Sequence, residues 1–223
     1  MKAILLDVDN TLLDFDACAL WSMREAAKEM NIELPEHIFS VFQPINNSLW
    51  RSMECGEITV ETLYRVRWNR IFDAVGIKAD GICFEKLFAA DLAASAIPVE
   101  GALDLVRELA TRYILCAASN GPYEQQRVRL EKAEMLASFS HLFISEDIGC
   151  SKPSKEFFAY CLQALAPIPP EEILMIGDSL TADIAGARQC GIRTCWYVPK
   201  AELPESGQAD YVVRTLDEVL RYF

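Results

Sequence analysis

The chain has 223 residues, enough for one large domain or for a domain that carries a smaller insert. Hydrophobic residues make up 52% and charged residues 24%, a balance that excludes intrinsic disorder, a collagen and a pure disulfide scaffold. The formal net charge of −12 gives a surface that repels phosphate polymers and anionic lipid. We therefore expect neither a nucleic-acid polymer nor a membrane among its partners. A small anionic substrate remains compatible with this charge, because a bound divalent cation can reverse the local field.

The sequence also favours a particular compartment. Only four apolar residues, 3–6, precede Asp7, which is too few for a signal peptide, and no apolar run approaches the roughly 18 residues that cross a bilayer. The eight cysteines form no CxxC motif of the kind that indicates a zinc site. We expect a protein of the reducing cytoplasm, present as a monomer or a homodimer.

Short, nearly continuous apolar runs recur along the chain and predict strands that are covered on both faces. These runs are 3–6, 113–118, 142–145, 173–176, 194–198 and 211–213. Stretches with helical spacing of apolar residues lie between them, as in 103–109 and 157–165. This alternation predicts an α/β fold with a doubly wound, mainly parallel sheet.

The interval from about residue 15 to about residue 97 breaks the alternation. It contains no convincing strand, and its pattern predicts helices over about 16–30 and 59–75. We interpret Pro35, Pro44 and the Cys55-Gly56 turn as interruptions between helices. Because an ordinary crossover connection is far shorter, 15–97 is predicted to be a helical subdomain inserted into a core of 1–14 and 98–223. A set of helices that simply packs on one face of the sheet is the alternative.

Two carboxylates, Asp7 and Asp9, follow the first predicted strand. Residues two apart on a strand point the same way, so both side chains can face one crevice. Two nearby carboxylates repel each other unless a cation or a shared proton lies between them. The pair therefore predicts a metal site, or a division into one ionised and one protonated carboxyl group.

Further polar residues follow later predicted strands. They are Ser119-Asn120-Gly121, Lys152, Asp178 after Gly177, and Asp183. Each alone has a simpler interpretation, such as a helix cap or a solvated lysine. Together they lie where parallel strands end, which is where open α/β sheets bind ligands, and they predict a site for metal-dependent phosphoryl transfer. Because GxxxxGK[ST] and GxGxxG motifs are absent, a carboxylate is the candidate covalent nucleophile.

In this order, the set resembles the haloacid dehalogenase superfamily of aspartyl-phosphate phosphohydrolases. The motifs that carry the resemblance are DxDxT at Asp7, Asp9 and Thr11, the hydroxyl motif at Ser119-Asn120, Lys152, and Gly177-Asp178 with Asp183. The interval 15–97 looks like the C1 cap of that superfamily on a Rossmann-like core. Within it, 46–51 and 56–59 are similar to the pyrimidine 5′-nucleotidase branch.

The resemblance implies a role for each matched residue. Asp7 would be the nucleophile, Asp9 the general acid and base, and Lys152 the cation that neutralises charge. A Mg²⁺ ion, or Mn²⁺ as a second option, would be held by the Asp7 and Asp178 carboxylates and the Asp9 carbonyl group. Asp183 would order either the lysine or a water on the metal.

The remaining implied roles concern the substrate, which would be a small phosphorylated molecule. Thr11, Ser119 and Asn120 would position its phosphate oxygens. In the cap, Asn46 and Trp50 would read and stack on the base of a nucleoside 5′-monophosphate. Packing in the cap core is the competing interpretation for Trp50.

Several alternative functions stay open at this point. Within the superfamily they are a sugar-phosphate or phosphoglycolate phosphatase, a phosphoglucomutase and a 2-haloacid dehalogenase. Asp9 argues against the dehalogenase, because a departing halide needs no general acid. Outside the enzymes, the alternative is a catalytically silent metal-binding interaction protein.

Overall fold

The computed structural model describes residues 1–199 and 207–223, which form two compact units. One unit joins Met1–Phe15 to Ala96–Phe223, and the other comprises Asp16–Ser95. The described helices are α1 (Phe15–Glu29), α2 (Ile38–Glu54), α3 (Val60–Val75), α4 (Gly81–Ala94), α5 (Ala102–Ala110), α6 (Tyr123–Lys132), α7 (Ser145–Ile148), α8 (Lys155–Ala164), α9 (Gly186–Gln189) and α10 (Leu216–Tyr222). None of these helices is both long and apolar enough to span a bilayer.

A parallel sheet organises the first unit. Its described strands are β1 (Ala3–Leu6), β2 (Ile114–Ser119), β3 (His141–Ile144), β4 (Ile173–Gly177), β5 (Arg193–Tyr197) and β6 (Tyr211–Val213). Across the sheet they run in the order β3-β2-β1-β4-β5-β6, and every neighbouring pair is parallel. The predicted doubly wound α/β fold is confirmed, and each predicted strand overlaps an observed one.

The order of the strands creates a ligand crevice. From β1 the chain adds β2 and β3 on one side, then returns to place β4 on the other side of β1. Connections that leave in opposite directions open a gap at the carboxyl ends of the two strands where the order reverses. The ends of β1 and β4 border that gap, and β2 ends beside them.

The sheet is covered on both faces because its central strand is apolar on both. Ile4 and Leu6 belong to one buried cluster, which also contains apolar residues of α5, α6 and α10. Ala3 and Leu5 belong to a second cluster, together with residues of α8 and α9. Alternate side chains of a strand point to opposite faces, so β1 is fixed from both sides and its carboxyl end is held firmly.

The second unit is helical and has its own aromatic core. Trp68 is fully buried, and its ring centroid lies 4.3 Å from that of Phe84 and 5.1 Å from that of Phe88. Phe42 from α2 stacks on the same indole at 5.6 Å. Rings at these separations stabilise a core beyond the area that they bury.

The interpretation of Pro44 as an interruption was wrong, because this proline lies inside α2. A proline in a helix removes one backbone hydrogen bond and typically costs about 3 kcal/mol or more. The buried face of α2, which includes Phe42 and Leu49, offsets that cost by packing.

Candidate active site

Asp7 lies at the end of β1, in the gap between β1 and its neighbours. Its backbone N–H donates to the carbonyl oxygen of Ile176 in β4 at 2.9 Å, which extends the pairing of the two strands by one residue. Its side chain is nearly buried, and its Oδ2 accepts a hydrogen bond of 3.0 Å from Thr11 Oγ1. The predicted phosphate ligand Thr11 therefore also orients the predicted nucleophile.

Lys152 is buried, and its ammonium group is fully engaged. Nζ donates to Asp7 Oδ1 at 2.7 Å, to Asp183 Oδ1 at 2.7 Å and to the Ala118 carbonyl oxygen at 2.6 Å. An ammonium group has three protons, and each has an acceptor here. The interpretation of Lys152 as a solvated lysine is therefore wrong.

Asn120 fixes the loop that carries this lysine. Its Nδ2 donates to the Lys152 carbonyl oxygen at 2.9 Å, and its Oδ1 accepts from the Lys152 backbone N–H at 2.9 Å. The two bonds tie the loop after β3 to the end of β2. Sequence reasoning assigned Asn120 to phosphate binding and did not anticipate this structural role.

Asp183 joins the cluster through a tight turn after β4. It lies in a π-helical segment, Leu180–Ala185, and its Oδ2 accepts from the Ser179 backbone N–H at 3.1 Å. A side chain at Gly177 would place its Cβ 2.2 Å from that same oxygen. Gly177 is therefore required for the close approach of Asp183 to the strand end. Asp183 thus makes the predicted contact with Lys152, whereas the residue that caps this segment is Ser179 and not Asp183.

Three carboxylates converge on the site and form a candidate cation site. Within the described residues, one oxygen from each of Asp7, Asp178 and Asp183 lies within 4.8 Å of the other two. When all three are ionised, the ammonium group of Lys152 balances only one of their charges. Carboxylate oxygens are hard donors that suit Mg²⁺ or Mn²⁺, and no sulfur or nitrogen donor belongs to the group. The residues therefore fit a divalent cation of this class.

Burial makes the carboxyl groups of Asp7 and Asp178 hard to ionise without a cation. Desolvation raises the pKa of Asp7 from 3.8 to about 7; Lys152 opposes the shift, and the neighbouring Asp183 adds to it. Burial, and then the charges of Asp7 and Asp183, raise the pKa of Asp178 well above its usual value. Burial disfavours the charged form of Lys152, but Asp183 and Asp7 outweigh it and raise the pKa of its ammonium group.

Ser119 ends β2 with its hydroxyl group buried next to this cluster. Its Oγ accepts from the Gly121 backbone N–H at 3.1 Å and from Gln126 Nε2 at 2.8 Å. Both contacts use the oxygen as an acceptor, so the hydroxyl proton can be donated to a ligand. This arrangement suits the predicted contact with a phosphate oxygen.

Asp9 contacts two residues that sequence reasoning missed. Its Oδ1 accepts from Arg129 Nη1 at 2.6 Å, and its Oδ2 accepts from Gln126 Nε2 at 2.6 Å. Gln126 and Arg129 are fully buried on α6, although both are strongly polar. The two residues are three apart in the sequence, which places them on the same face of α6 as buried Leu130. This spacing was the feature of the sequence that could have revealed them.

Asn46 and Trp50, the two residues of the helical unit that were predicted to contact the base, differ in their surroundings. Asn46 is buried inside the helical unit, where its Oδ1 accepts from Arg67 Nη1 at 3.0 Å. Arg67 is itself paired with buried Glu85 at 2.5 Å. The oxygen of Asn46 thus serves a buried polar network, and we withdraw Asn46 as a reader of the base. Trp50 is half-buried, with its ring perpendicular to that of Tyr64 at 6.4 Å.

Comparison with protein families gives a match over most of the chain. The model of the haloacid dehalogenase-like hydrolases matches residues 1–191.

Individual relatives match nearly the full length. The pyrimidine 5′-nucleotidase PynA of Streptococcus pneumoniae is 35% identical over 98% of this chain and 93% of its own length. The pyrimidine 5′-nucleotidase YjjG of Escherichia coli is 27% identical over 97% of this chain and 95% of its own. The crystal structure of the HAD-hydrolase YfnB of Bacillus subtilis, bound to magnesium, has a TM-score of 0.93 at 32% identity and covers 99% of this chain and 97% of that one.

The raised pKa of Asp7 predicts that protons and Mg²⁺ compete for this site. The carboxyl group of Asp7 has a pKa of about 7 in the folded chain and an ordinary pKa of 3.8 in the unfolded chain, so the folded chain binds the proton more tightly. Its contribution to stability is therefore present at low pH and is lost as the pH rises from about 4 to about 7. A cation must displace this proton below about pH 7, which weakens its binding by roughly tenfold per pH unit for each proton displaced.

We expect Mg²⁺ to raise the midpoint of thermal unfolding at about pH 8 and to require far higher concentrations, roughly 100-fold or more, at about pH 5. The measurement is a Mg²⁺ titration of the unfolding midpoint at both pH values. Asp178→Asn is the control and should abolish the response at about pH 8. An equal response at both pH values would contradict this account of the site.

Proposed function

The chain belongs to the haloacid dehalogenase-like hydrolase family, and from this premise we propose that it hydrolyses phosphate monoesters through a covalent intermediate on Asp7. The observation that carries the proposal is the buried cluster in which Lys152 donates to Asp7 and Asp183, with Asp178 in the same group. Such a cluster provides a carboxylate nucleophile together with fixed positive charge for a phosphoryl group.

The proposed first step transfers the phosphoryl group to the protein. A carboxylate oxygen of Asp7 attacks phosphorus while the bond to the ester oxygen breaks, and the leaving alcohol takes a proton from Asp9. Lys152 stabilises negative charge on both Asp7 and the transferred group, and the hydroxyl of Ser119 donates to a phosphate oxygen. Asp183 keeps the lysine in place through its 2.7 Å contact.

The proposed second step releases inorganic phosphate. Asp9, now a carboxylate, takes a proton from water, and the water oxygen attacks phosphorus as the bond to Asp7 breaks. The proton returned to Asp9 restores the starting state, so one residue serves as acid and then as base. Two displacements assisted by the same fixed charges replace one difficult displacement.

We assign a divalent cation to the carboxylates of Asp7 and Asp178, with the main-chain carbonyl of Asp9 as a further ligand. We propose Mg²⁺, and Mn²⁺ fits the same oxygen donors. When bound, the cation balances the charge of the buried carboxylates and attracts the phosphate group to the nucleophile. Asp183, whose two oxygens contact Lys152 and Ser179, is assigned to orienting the lysine.

We propose a nucleoside 5′-monophosphate as the substrate. The relatives PynA and YjjG, which match nearly all of this chain, are named pyrimidine 5′-nucleotidases. Trp50 belongs to the helical unit and is half-buried, so part of its ring is accessible for stacking on a base. This unit is proposed to act as the cap that selects the substrate.

The phosphatase assignment predicts Mg²⁺-dependent release of phosphate from 4-nitrophenyl phosphate. Asp7→Asn should lower this release by about 10³-fold or more, because an amide is not a nucleophile for phosphorus. Asp147→Asn on α7 is a matched control and should keep its activity. Equal rates in the wild type and Asp7→Asn would overturn the assignment and favour a silent metal-binding protein.

The nucleotide assignment predicts a ranking of substrates. We expect kcat/KM for deoxyuridine and uridine 5′-monophosphates to exceed the values for sugar phosphates and phosphoglycolate. Trp50→Ala should raise KM for the nucleotides by about tenfold, since stacking on one base contributes roughly 1–3 kcal/mol, and should leave 4-nitrophenyl phosphate nearly unaffected. Trp21→Ala, at an exposed position in the same unit, is the control. Faster turnover of sugar phosphates would overturn this assignment and leave the phosphatase chemistry intact.

A further inference from the structure

The carboxyl group of Asp9 is held at both oxygens by side chains of one helix. Arg129 Nη1 donates to Oδ1 at 2.6 Å and Gln126 Nε2 donates to Oδ2 at 2.6 Å. A carboxyl group turns about two side-chain bonds, and a donor at each oxygen restricts both rotations. The contact therefore fixes the direction of the carboxyl group as well as its position.

The two donors are themselves firmly placed. Both are fully buried, whereas the Asp9 side chain is 30% exposed, so a rigid interior holds a group that solvent can reach. Gln126 Oε1 accepts from Arg129 Nη1 at 3.1 Å, and this contact connects the donors to each other. Arg127 on the same helix also donates to both carboxylate oxygens of Glu124, but the two side chains of that pair are 35% and 70% exposed.

Gln126 also connects Asp9 to the residue assigned to phosphate binding. Its Nε2 donates to Ser119 Oγ at 2.8 Å as well as to Asp9. A side chain at Gly121 would place its Cβ 2.4 Å from that nitrogen, so the close approach depends on glycine there. One amide group thus sets the distance between the carboxyl group of Asp9 and the hydroxyl group of Ser119.

We propose that Gln126 and Arg129 are positioning residues that aim the Asp9 carboxyl group at the ester oxygen and, in the second step, at water. The proposal rests on the proposed phosphatase function. In the first step the P–O ester bond breaks and the proton of Asp9 passes to the departing oxygen. In the second step a proton passes from the attacking water to Asp9, and the bond between phosphorus and Asp7 breaks. Arg129 acts on the proton transfer through Asp9, and so does Gln126, which in addition holds the hydroxyl group of Ser119.

Two phosphate esters of similar size, used as substrates, distinguish the positioning of Asp9 from a purely structural role of Gln126 and Arg129. Phenyl phosphate expels a basic phenolate that needs a proton, whereas 4-nitrophenyl phosphate expels an anion that leaves without one. The ratio of kcat/KM for the two esters therefore reports proton donation during transfer to Asp7. Loss of folding or of metal binding lowers both values together and leaves the ratio unchanged.

We expect Arg129→Met and Gln126→Met to lower kcat/KM for phenyl phosphate by about tenfold or more beyond any loss with 4-nitrophenyl phosphate, because a positioned acid contributes roughly 10²–10⁴-fold. Arg127→Met is the matched control on the same helix and should leave the ratio unchanged. Arg129→Lys, which keeps the charge, should restore part of the ratio. If Arg129→Met does not fold, Gln126→Met still tests the proposal, because the Gln126→Met variant keeps the ion pair between Arg129 and Asp9.

A double-mutant cycle tests whether the effect passes through Asp9. In the Asp9→Asn background, Gln126→Met should cause no further change in the ratio, since the group that it positions is gone. Equal losses for both esters, or a full further change in the Asp9→Asn background, would overturn the proposal while the phosphatase function stands. An inactive wild type would overturn the proposed function itself.

Discussion

The ammonium group of Lys152 is the charge on which the arrangement of the site depends. It is buried, and its three hydrogen bonds join the loop after β3 to the end of β2, the end of β1 and the turn after β4. Removing one partner of such a buried pair typically costs about 3–5 kcal/mol, because the other charge is left without compensation. A single side chain therefore holds together parts of the chain that are far apart in sequence.

The single positive charge of Lys152 cannot balance the three carboxylates of Asp7, Asp178 and Asp183 around it. This imbalance has a functional consequence. Asp7 and Asp178 have raised pKa values because they are buried near further negative charge. When ionised, such a carboxyl group lowers the stability of the fold unless a cation neutralises it, and strongly shifted carboxyl groups in a crevice are typical of functional sites. A bound proton or a bound cation reduces the repulsion between these carboxylates. A crevice of this kind therefore suits a phosphate ester together with a divalent ion.

Sequence reasoning predicted the parts of the fold that depend on local pattern. The continuous apolar runs of β1 and β4 identified strands covered on both faces, and their carboxyl ends placed Asp7 and Asp178 at one edge. Pro44 was misjudged because local preference disfavours proline in a helix, while the packing of Phe42 against Trp68 and Phe88 is a tertiary effect. Asn46 was misjudged for a similar reason, since its buried partner Arg67 lies on another helix.

The supporting contacts of the site were the hardest to foresee. Asn120 and Gln126 act through side-chain hydrogen bonds to residues that are distant in sequence, and no motif spacing encodes such partners. The position of α6 beside the end of β1 makes Arg129 a neighbour of Asp9, and that position follows from the order of the strands. The motifs thus predict which groups react, while the packing of α6 places Gln126 and Arg129 against Asp9.

We propose that Asp7 and Asp178 hold one divalent cation beside Lys152. Anomalous diffraction from a crystal grown with Mn²⁺ can check this assignment, because it locates the ion independently of any assay. We expect one strong peak within about 2.5 Å of a carboxylate oxygen of Asp7 and of Asp178, with Lys152 still in contact with Asp183. A crystal in which Mn²⁺ binds only elsewhere on the chain, with these carboxylates unoccupied, would contradict it.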